Sequence, residues 1–252
     1  VTSFAIEQRK DFIYQLLLDI LNKNNQTVKY IYERNDVQVR TKEGLELYKG
    51  FYGKETCSTD LVISENHLLL NVDIQNGQKT GYFLDQKSNR MLIRNMAKGL
   101  RVLDCFTHTG GFALNAASGE AKSVTAVDVS GTALEEARKN AEINHFTNMT
   151  FVQADVFDYL EEMKEGEFDL IILDPPAFTK SRKTVKQAYY GYKRINLEAM
   201  KKLENGGFLA TCSCSRYMET SLFEQMLKEA ALEANVLLKQ VSVTQQNHDH
   251  PI

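Results

Sequence analysis

Cysteines, prolines and long apolar runs are all scarce in this chain, and each scarcity removes a class of protein. Four cysteines (Cys57, Cys105, Cys212, Cys214) in 252 residues fall far below the density of a disulfide-stapled secreted domain, so free thiols in a reducing, cytoplasmic setting are expected. No apolar run approaches the roughly 20 residues of a membrane-crossing helix, and no signal peptide opens the chain. A formal charge of -3 excludes a protein that coats nucleic acid by bulk electrostatics, so any such contact must come from a local patch. Internal repeats and low-complexity linkers are missing, as is the G-x-G-x-x-G phosphate fingerprint of dinucleotide sites. Of the three prolines, two stand side by side at 175 and 176.

What remains suffices for a proper core. With 43% hydrophobic residues, the chain is globular and forms one large domain or two smaller ones. From Lys98 onward, β-rich runs alternate with helical spacing, the pattern of an α/β, Rossmann-like parallel sheet with helices on both faces. Strands are predicted at 101–105, 123–128, 149–155, 168–174, 207–213 and, sixth, at 236–243. Apolar residues three and four apart predict helices over 130–144 and 221–234. The first hundred residues lack this rhythm and read as a smaller α+β module: a helix over 7–24, a strand over 29–36, and a hairpin turning at Glu65 and Asn66. A helix from about Asp85 to Ala97 joins the two, giving domains 1–97 and 98–252. Val1 in place of Met, and a strand-like run just before Pro251 and Ile252, predict a fragment, incomplete before the first module and cut before the sheet's last strand.

Open parallel sheets bind ligands at the carboxyl ends of their strands. The first strand leads into "DCFTHTGGFA", where Gly110 and Gly111 let backbone amides approach a ligand at the mouth of a helix. Asp104, Asp128 and Asp155 mark the ends of three successive strands. Asp128 is placed to hold two ribose hydroxyls and Asp155 to accept from an adenine amino group, and surface acids would not track strand termini. A carboxylate at 104 would repel a pyrophosphate. S-adenosylmethionine has no phosphate and brings ammonium and sulfonium charges, so it is the expected cofactor, with S-adenosylhomocysteine as product. Phe106, Thr107, Val129 and Val156 flank these groups and complete this part of the candidate pocket.

The fourth strand ends in Asp174-Pro175-Pro176, a rigid turn that exposes carbonyls and a carboxylate; Asp174 and Pro175 border the cofactor and Pro176 the substrate. This turn resembles the substrate-clamping motif of class I methyltransferases acting on nucleobases. The fifth strand ends beside it, in "FLATCSCSRYM". A metal would need two more ligands, and Cys57, Cys105, His248 and His250 form no recognisable set, so none is expected. A 212–214 disulfide would be badly strained. Core filler and nucleophile remain open for Cys214, nearer the strand's mouth, while Cys212 is expected to pack inside the strand. The chemistry favours a nucleophile: cytosine C5 is too weak to take a methyl group until a thiolate adds at C6, and a nearby carboxyl must balance charge at N3 and the exocyclic amine. An ordinary thiol is only a few per cent ionised at about pH 7, and Arg216 is the candidate to stabilise it.

Together "NVDIQNGQKTGYFLDQKSNR", "LDCFTHTGGFA", "DPPAF" and "SCS" resemble the bacterial large-subunit ribosomal RNA 5-methylcytosine methyltransferases, which combine a PUA domain, a central α+β domain and a Rossmann-like catalytic domain. The resemblance spans essentially the whole chain and assigns its two modules to the latter two domains. It implies that Cys214 is the nucleophile, that Asp174 assists at the base, and that Tyr82 and Gln86 close over the cofactor with Lys79 and Thr80 nearby.

Ribosomal RNA is then the expected partner, and a patch for it follows the D-P-P turn. Between 179 and 202 lie Lys180, Arg182, Lys183, Lys186, Lys193, Arg194, Lys201 and Lys202 against one acid, Glu198. Tyr189, Tyr190 and Tyr192 are interleaved and able to stack on bases, and Phe178 is placed to stack on a flipped base. A solvated helix face is the competing reading. Alternatives for the whole are a methyltransferase acting on a guanine or adenine nitrogen, which needs no thiol, an RNA-binding module keeping S-adenosylmethionine as a structural ligand, and an oxidoreductase. The sequence leaves the oligomeric state open, a homodimer included.

Overall fold

The computed structural model describes residues 1–53, 56–179, 181–215 and 217–247. Lys180, Arg216, His248 and His250, singled out from the sequence, lie outside the described residues.

Short elements fill the amino-terminal part: α1 (Phe4–Glu7), α2 (Lys10–Lys23), β1 (Tyr32–Asn35), α3 (Val39–Lys42) and β2 (Tyr48–Phe51), followed by the hairpin of β3 (Asp60–Glu65) and β4 (Leu68–Asp73). Residues Val1–Ile63 and Asn71–Phe83 form one compact unit, and Ser64–Leu70 with the chain from Leu84 onward form another. In the first, β1 and β2 pair antiparallel with Tyr32 opposite Phe51. The buried Glu33 carboxylate ties α2 to them, its Oε1 accepting from Lys10 Nζ, Tyr14 Oη and Tyr48 Oη at 3.3, 3.1 and 2.9 Å. Burial of that charge is tolerable because it is so fully bonded. The hairpin turns at Asn66 and His67, both with positive φ (52° and 61°), as a two-residue loop that matches strand twist requires. That is one residue later than expected, because Glu65 remains in the strand and its carboxylate is buried against Arg90.

The second unit runs α4 (Lys87–Met96), β5 (Arg101–Cys105), α5 (Gly111–Ser118), β6 (Ser123–Asp128), α6 (Gly131–Ile143), β7 (Met149–Gln153), α7 (Val156–Glu162), β8 (Leu170–Leu173), α8 (Val185–Lys202), β9 (Phe208–Thr211) and α9 (Thr220–Ala234). Its five strands are parallel in the order β7-β6-β5-β8-β9, confirming the α/β, Rossmann-like expectation. Alternate residues serve opposite faces. Val102, Leu170 and Ile172 pack against Ile93 of α4 and Phe112, Ala113 and Ala116 of α5. Leu103, Ile171 and Leu173 pack against Leu160 of α7, Tyr192 and Ile195 of α8 and Met226 of α9. Cover on both faces explains why Leu170–Leu173 is apolar and buried at every position. Strand order reverses between β5 and β8, which opens a crevice at their carboxyl ends.

Three strand expectations need correction. Residues 236–243 form no strand: Leu237, Leu238, Val241 and Val243 are exposed, since alternation yields a strand only where a neighbouring edge takes up its backbone groups. Next, β7 stops at Gln153, so Asp155 does not end a strand but caps α7. Finally, β9 stops at Thr211, so Cys212 and Cys214 both lie in the segment beyond it, and Cys212 is not packed inside a strand.

Candidate cofactor and catalytic site

The turn after β5 is tightly built. Asp104, its penultimate residue, is 1% exposed; its Oδ2 accepts from Thr107 Oγ1 at 2.6 Å and from the Ala113 amide of α5 at 2.9 Å. Its Oδ1 is buried with no partner among the described residues. Burial pushes the carboxyl up to about 7; the bonds from Thr107 and Ala113 oppose this, and the negative charges of Asp174 and Asp128 add to it. The three acids therefore share one crevice. Phe106 and His108 adopt left-handed backbone (φ 61° and 50°), as does Gly110 (86°). Such strain at non-glycine positions collects at functional turns. At Gly110, the N-cap of α5, a Cβ would also lie 3.2 Å from Ala137.

Asp128 closes β6 with its carboxylate aimed back at this turn, Oδ2 accepting from the His108 amide and Oδ1 from the Ser130 amide, each at 2.9 Å. Burial lowers the His108 imidazole against the pull of Asp128, so the ring is neutral near pH 7. Val129, the next residue, is 69% exposed, an apolar side chain beside the Asp128 carboxylate. Asp155 accepts from the Phe157 amide at 2.8 Å as the cap of α7, and Val156 behind it is buried.

Across the crevice, Asp174 follows β8 directly, with Pro175 buried and Pro176 exposed. Gln86 Nε2 donates to Asp174 Oδ1 at 3.3 Å. Cys214 is exposed, and its Sγ donates to the Pro175 carbonyl at 3.6 Å, one residue from the acid. Half-buried Cys212 continues the ladder, its amide donating to the Leu173 carbonyl at 2.8 Å. Burial holds its thiol neutral, the Asp174 charge adds to this, and contact with Gln86 opposes it.

Helix α8 fixes both loops. Tyr192 is fully buried, shares a 2.9 Å hydrogen bond with Ser215 Oγ, and packs its ring 4.6 Å from that of Phe178. Gly191 permits this approach, for a Cβ there would meet the Phe178 ring at 3.1 Å. Tyr192 is therefore core and cannot stack on a base; Tyr190, 57% exposed, can.

The run of cations does not survive as one patch. Lys193 pairs with Glu229 and Glu233 at 3.3 and 2.6 Å, Arg194 pairs with Glu161, and Lys201 pairs with Glu198 at 2.8 Å. Lys202 donates to the carbonyls of Glu161 and Met163. Arg182, Lys183 and Lys186 are exposed and carry no ion pair among the described residues. Lys79, Thr80 and Tyr82 belong to the first unit and Gln86 to the second. Asn89, His108 and Ser215 lie within the quoted motifs but were given no role there, and Thr244 lies outside them; each is tied in through a bond to a distant segment or through its backbone amide.

Among the described residues, no three His, Cys, Asp or Glu side chains gather as a metal would require, and no helix is long and apolar enough to cross a membrane. A groove of about 680 Å³ between the ends of α8 and α9, lined by Met200, Leu203, Ala234 and Val236, lies at the amino end of β9, away from the acids. In the crevice, the unsatisfied Oδ1 of Asp104 suits a cation, whereas three carboxylates exclude phosphates. The fold and this charge pattern define a nucleoside-binding α/β domain built for a cationic, phosphate-free cofactor.

The comparisons with known proteins agree. Residues 49–248 match the family model described as S-adenosylmethionine-dependent methyltransferase, and the chain belongs to that family. Its cofactor is S-adenosylmethionine. The chain is 47% identical over 226 residues to a ribosomal RNA large subunit methyltransferase I of Aeromonas salmonicida, covering 88% of this chain and 57% of that protein. It is 43% identical to a protein of the same name from Aeromonas hydrophila, covering 100% of this chain and 64% of that protein. It thus spans less than two thirds of these relatives. A crystal structure complexed with SAH shares the fold, at TM-score 0.77 and 24% identity over 97% of this chain and 61% of that one. A SAM-dependent methyltransferase from Agrobacterium tumefaciens does so at 0.61 and 18%, over 83% and 67%.

Proposed function

We propose that the protein methylates carbon 5 of a cytosine in large-subunit ribosomal RNA, with Cys214 as nucleophile and Asp174 as the acid at the base. The observation carrying this reading is the exposed Cys214 thiol 3.6 Å from the carbonyl of Pro175, next in sequence to Asp174. Large-subunit RNA as substrate is taken from the name of the relatives.

The residues divide the work. Thiolate addition at C6 breaks the C5–C6 double bond and sends its electrons toward N3, where the Asp174 carboxyl supplies a proton and then holds the exocyclic amine. C5 becomes the nucleophilic carbon. S-adenosylmethionine supplies the electrophilic methyl group. As C5 takes the methyl group the N3 proton returns to the Asp174 carboxylate, and loss of the C5 proton to a base then expels the thiolate and restores the ring. Asp104 and Asp128 would hold the cofactor's ammonium and ribose hydroxyls, with Gly110, Gly111, Phe106, Thr107 and Val129 around them and Asp155 and Val156 toward the adenine. Lys79, Thr80 and Tyr82 join them by resemblance alone. Arg182 and Lys183 are the cations best placed to meet RNA phosphates, since Lys193 and Arg194 are already paired with acids; Phe178 and Pro176 border the base.

Incubation of the protein with unmodified large-subunit RNA and methyl-labelled cofactor is expected to release label as 5-methylcytosine after nuclease digestion. Label in a methylated guanine or adenine would replace this reading with the base-nitrogen one, and no label with the non-catalytic one.

Asp104 adds a pH signature. Its pKa of about 7 lies above the ordinary carboxyl value of 3.8, so between these values the folded protein holds more protons than the unfolded chain, and this group's contribution to stability falls as pH rises through that window. A cation on Oδ1 favours the ionised form and pulls the proton off. S-adenosylhomocysteine, which keeps the ammonium group, is therefore expected to bind more tightly as pH rises toward about 7 and to level off above it. Calorimetry in buffers of different ionisation enthalpy should register the released proton, and Asp104→Asn should abolish the dependence. A flat affinity between about pH 5.5 and 8 in the unmodified protein would remove Asp104 from the ammonium site.

A further inference from the structure

Gln86 and Asp174 are 88 residues apart in sequence, yet the amide nitrogen of one donates to the carboxylate of the other. A glutamine amide can face a carboxylate with either end, and the nitrogen end alone attracts it. The far end of the amide decides which is presented. Asn89 Nδ2 donates to Gln86 Oε1 at 2.6 Å, and Asn89 Oδ1 accepts from Thr244 Oγ1 at 2.6 Å. Donor meets acceptor in one direction along the whole chain: hydroxyl to Asn89, Asn89 to Gln86, Gln86 to Asp174. Turning over the Gln86 amide sets its oxygen against the Asp174 carboxylate and its nitrogen against the Asn89 nitrogen, so both neighbours hold the Gln86 nitrogen toward the acid, while the Thr244 hydroxyl, able to donate or accept, bonds the far end of Asn89.

The backbone explains why these residues meet. Gln86 is the N-cap of α4 and Asn89 lies three residues on, so the two side chains share a face. Buried Arg90, bound to Glu65 at 2.7 and 2.9 Å, anchors the same turn. Thr244 arrives on the irregular segment after α9, which is held to the start of α4 by the Asn247 amide bonding the Asp85 carbonyl at 2.9 Å and by a contact between Ser88 Oγ and Asn247 Oδ1.

We infer that Gln86 and Asn89 are positioning residues for Asp174, with Asn89 setting the direction of the Gln86 amide and that amide orienting the carboxylate toward the base. The role of Asp174 rests on the function proposed above; the hydrogen-bond chain does not. This is a different task from the cofactor contact that resemblance gives Gln86, and it draws in Asn89, to which the resemblance gives no role, and Thr244, which no motif marks.

An isosteric change separates positioning from packing. In Asn89→Asp the side chain offers only acceptors, so two carboxylates compete for the Gln86 nitrogen and Asp174 loses its exclusive hold on that donor. Asn89→Ala frees the amide without adding a competitor. Expected is a kcat lowered about ten-fold in Asn89→Ala and about a hundred-fold in Asn89→Asp, with the KM for RNA little changed. A merely structural role gives the opposite order, because aspartate keeps the shape that alanine loses.

The second readout needs neither cofactor nor RNA. Carbon-13 carboxyl titration of Asp174 should move its midpoint upward by about one pH unit in Asn89→Asp and by less in Asn89→Ala, since a donor to the charged form is drawn away by a second carboxylate; the neighbouring Asp104, Cys212 and Cys214 are unaltered. An unmoved midpoint, or a larger shift in the alanine variant, overturns the inference. Should Asn89→Asp fail to fold, Gln86→Glu and Gln86→Met repeat the comparison, glutamate expected to be the worse at alkaline pH. If the unmodified protein leaves RNA unmethylated while the Asn89 variants show the titration shift, the proposed function falls and the positioning stands.

Discussion

Cys214→Ala is expected to abolish methyl transfer, lowering the rate by about 10⁴-fold or more, while leaving S-adenosylhomocysteine affinity nearly unchanged. The size follows from the chemistry. Without a thiolate adding at C6, cytosine C5 has no electron pair to offer, and Cys214 is the exposed cysteine bonded to the D-P-P turn. Asp104 and Asp128, proposed to hold the cofactor, lie on β5 and β6 and are held by Thr107, Ala113, His108 and Ser130, so the substitution leaves their supports in place. Cys212→Ala should cost far less, for burial and the Asp174 charge keep that thiol protonated. RNA carrying 5-fluorocytosine offers a second measurement. Fluorine stands where a proton must leave, so the unmodified protein should remain covalently joined to the RNA and survive denaturing electrophoresis. A Cys214→Ala protein that methylates RNA at the normal rate would establish the base-nitrogen reading instead.

The largest expected effect on stability is at Glu65. Its carboxylate and the Arg90 guanidinium form a two-bond pair with side chains 4% and 3% exposed. Both were desolvated on folding, so Glu65→Ala strands a buried cation and should cost about 3–5 kcal/mol. For a chain of this size that is a fall in melting temperature of roughly 10 °C. Thermal unfolding followed by circular dichroism measures it. By contrast, the Arg101–Asp169 pair, about a third exposed at 36% and 34%, should contribute under about 1 kcal/mol. A double replacement, Glu65→Leu with Arg90→Met, is expected to recover most of the loss, because neither charge is then left behind. If Glu65→Ala melts with the unmodified protein, the pair holds nothing that water could not.

The sheet was legible because parallel strands covered on both faces must be apolar throughout, as Leu170–Leu173 is, and because α6 and α9 each carry helical spacing across more than three turns. Asp104 and Asp128 could be found for a related reason: the carboxyl ends of such strands are where an open sheet presents ligands. The 236–243 run misled because period-two spacing carries no information about whether a partner edge is present. Charge counting between 182 and 202 could not separate paired from unpaired cations, because α7 and α9 bring Glu161, Glu229 and Glu233 against Lys193 and Arg194.

Local spacing and residue chemistry were enough for the α/β class, for Asp104 and Asp128 at the ends of β5 and β6 though not for Asp155, for the glycine turn and for the pairing of a D-P-P acid with a nearby cysteine. These are properties of short segments, where steric period and backbone freedom act directly. Other features came from the closed fold alone: that Tyr192 is core, that Asp104 keeps one oxygen without a partner, and which cations face solvent. So did the meeting of Thr244 and Asn89, 155 residues apart in sequence, to aim an amide at Asp174. Each of these depends on where distant side chains come to rest once the core has closed, and hydrogen bonds and burial are fixed at that stage.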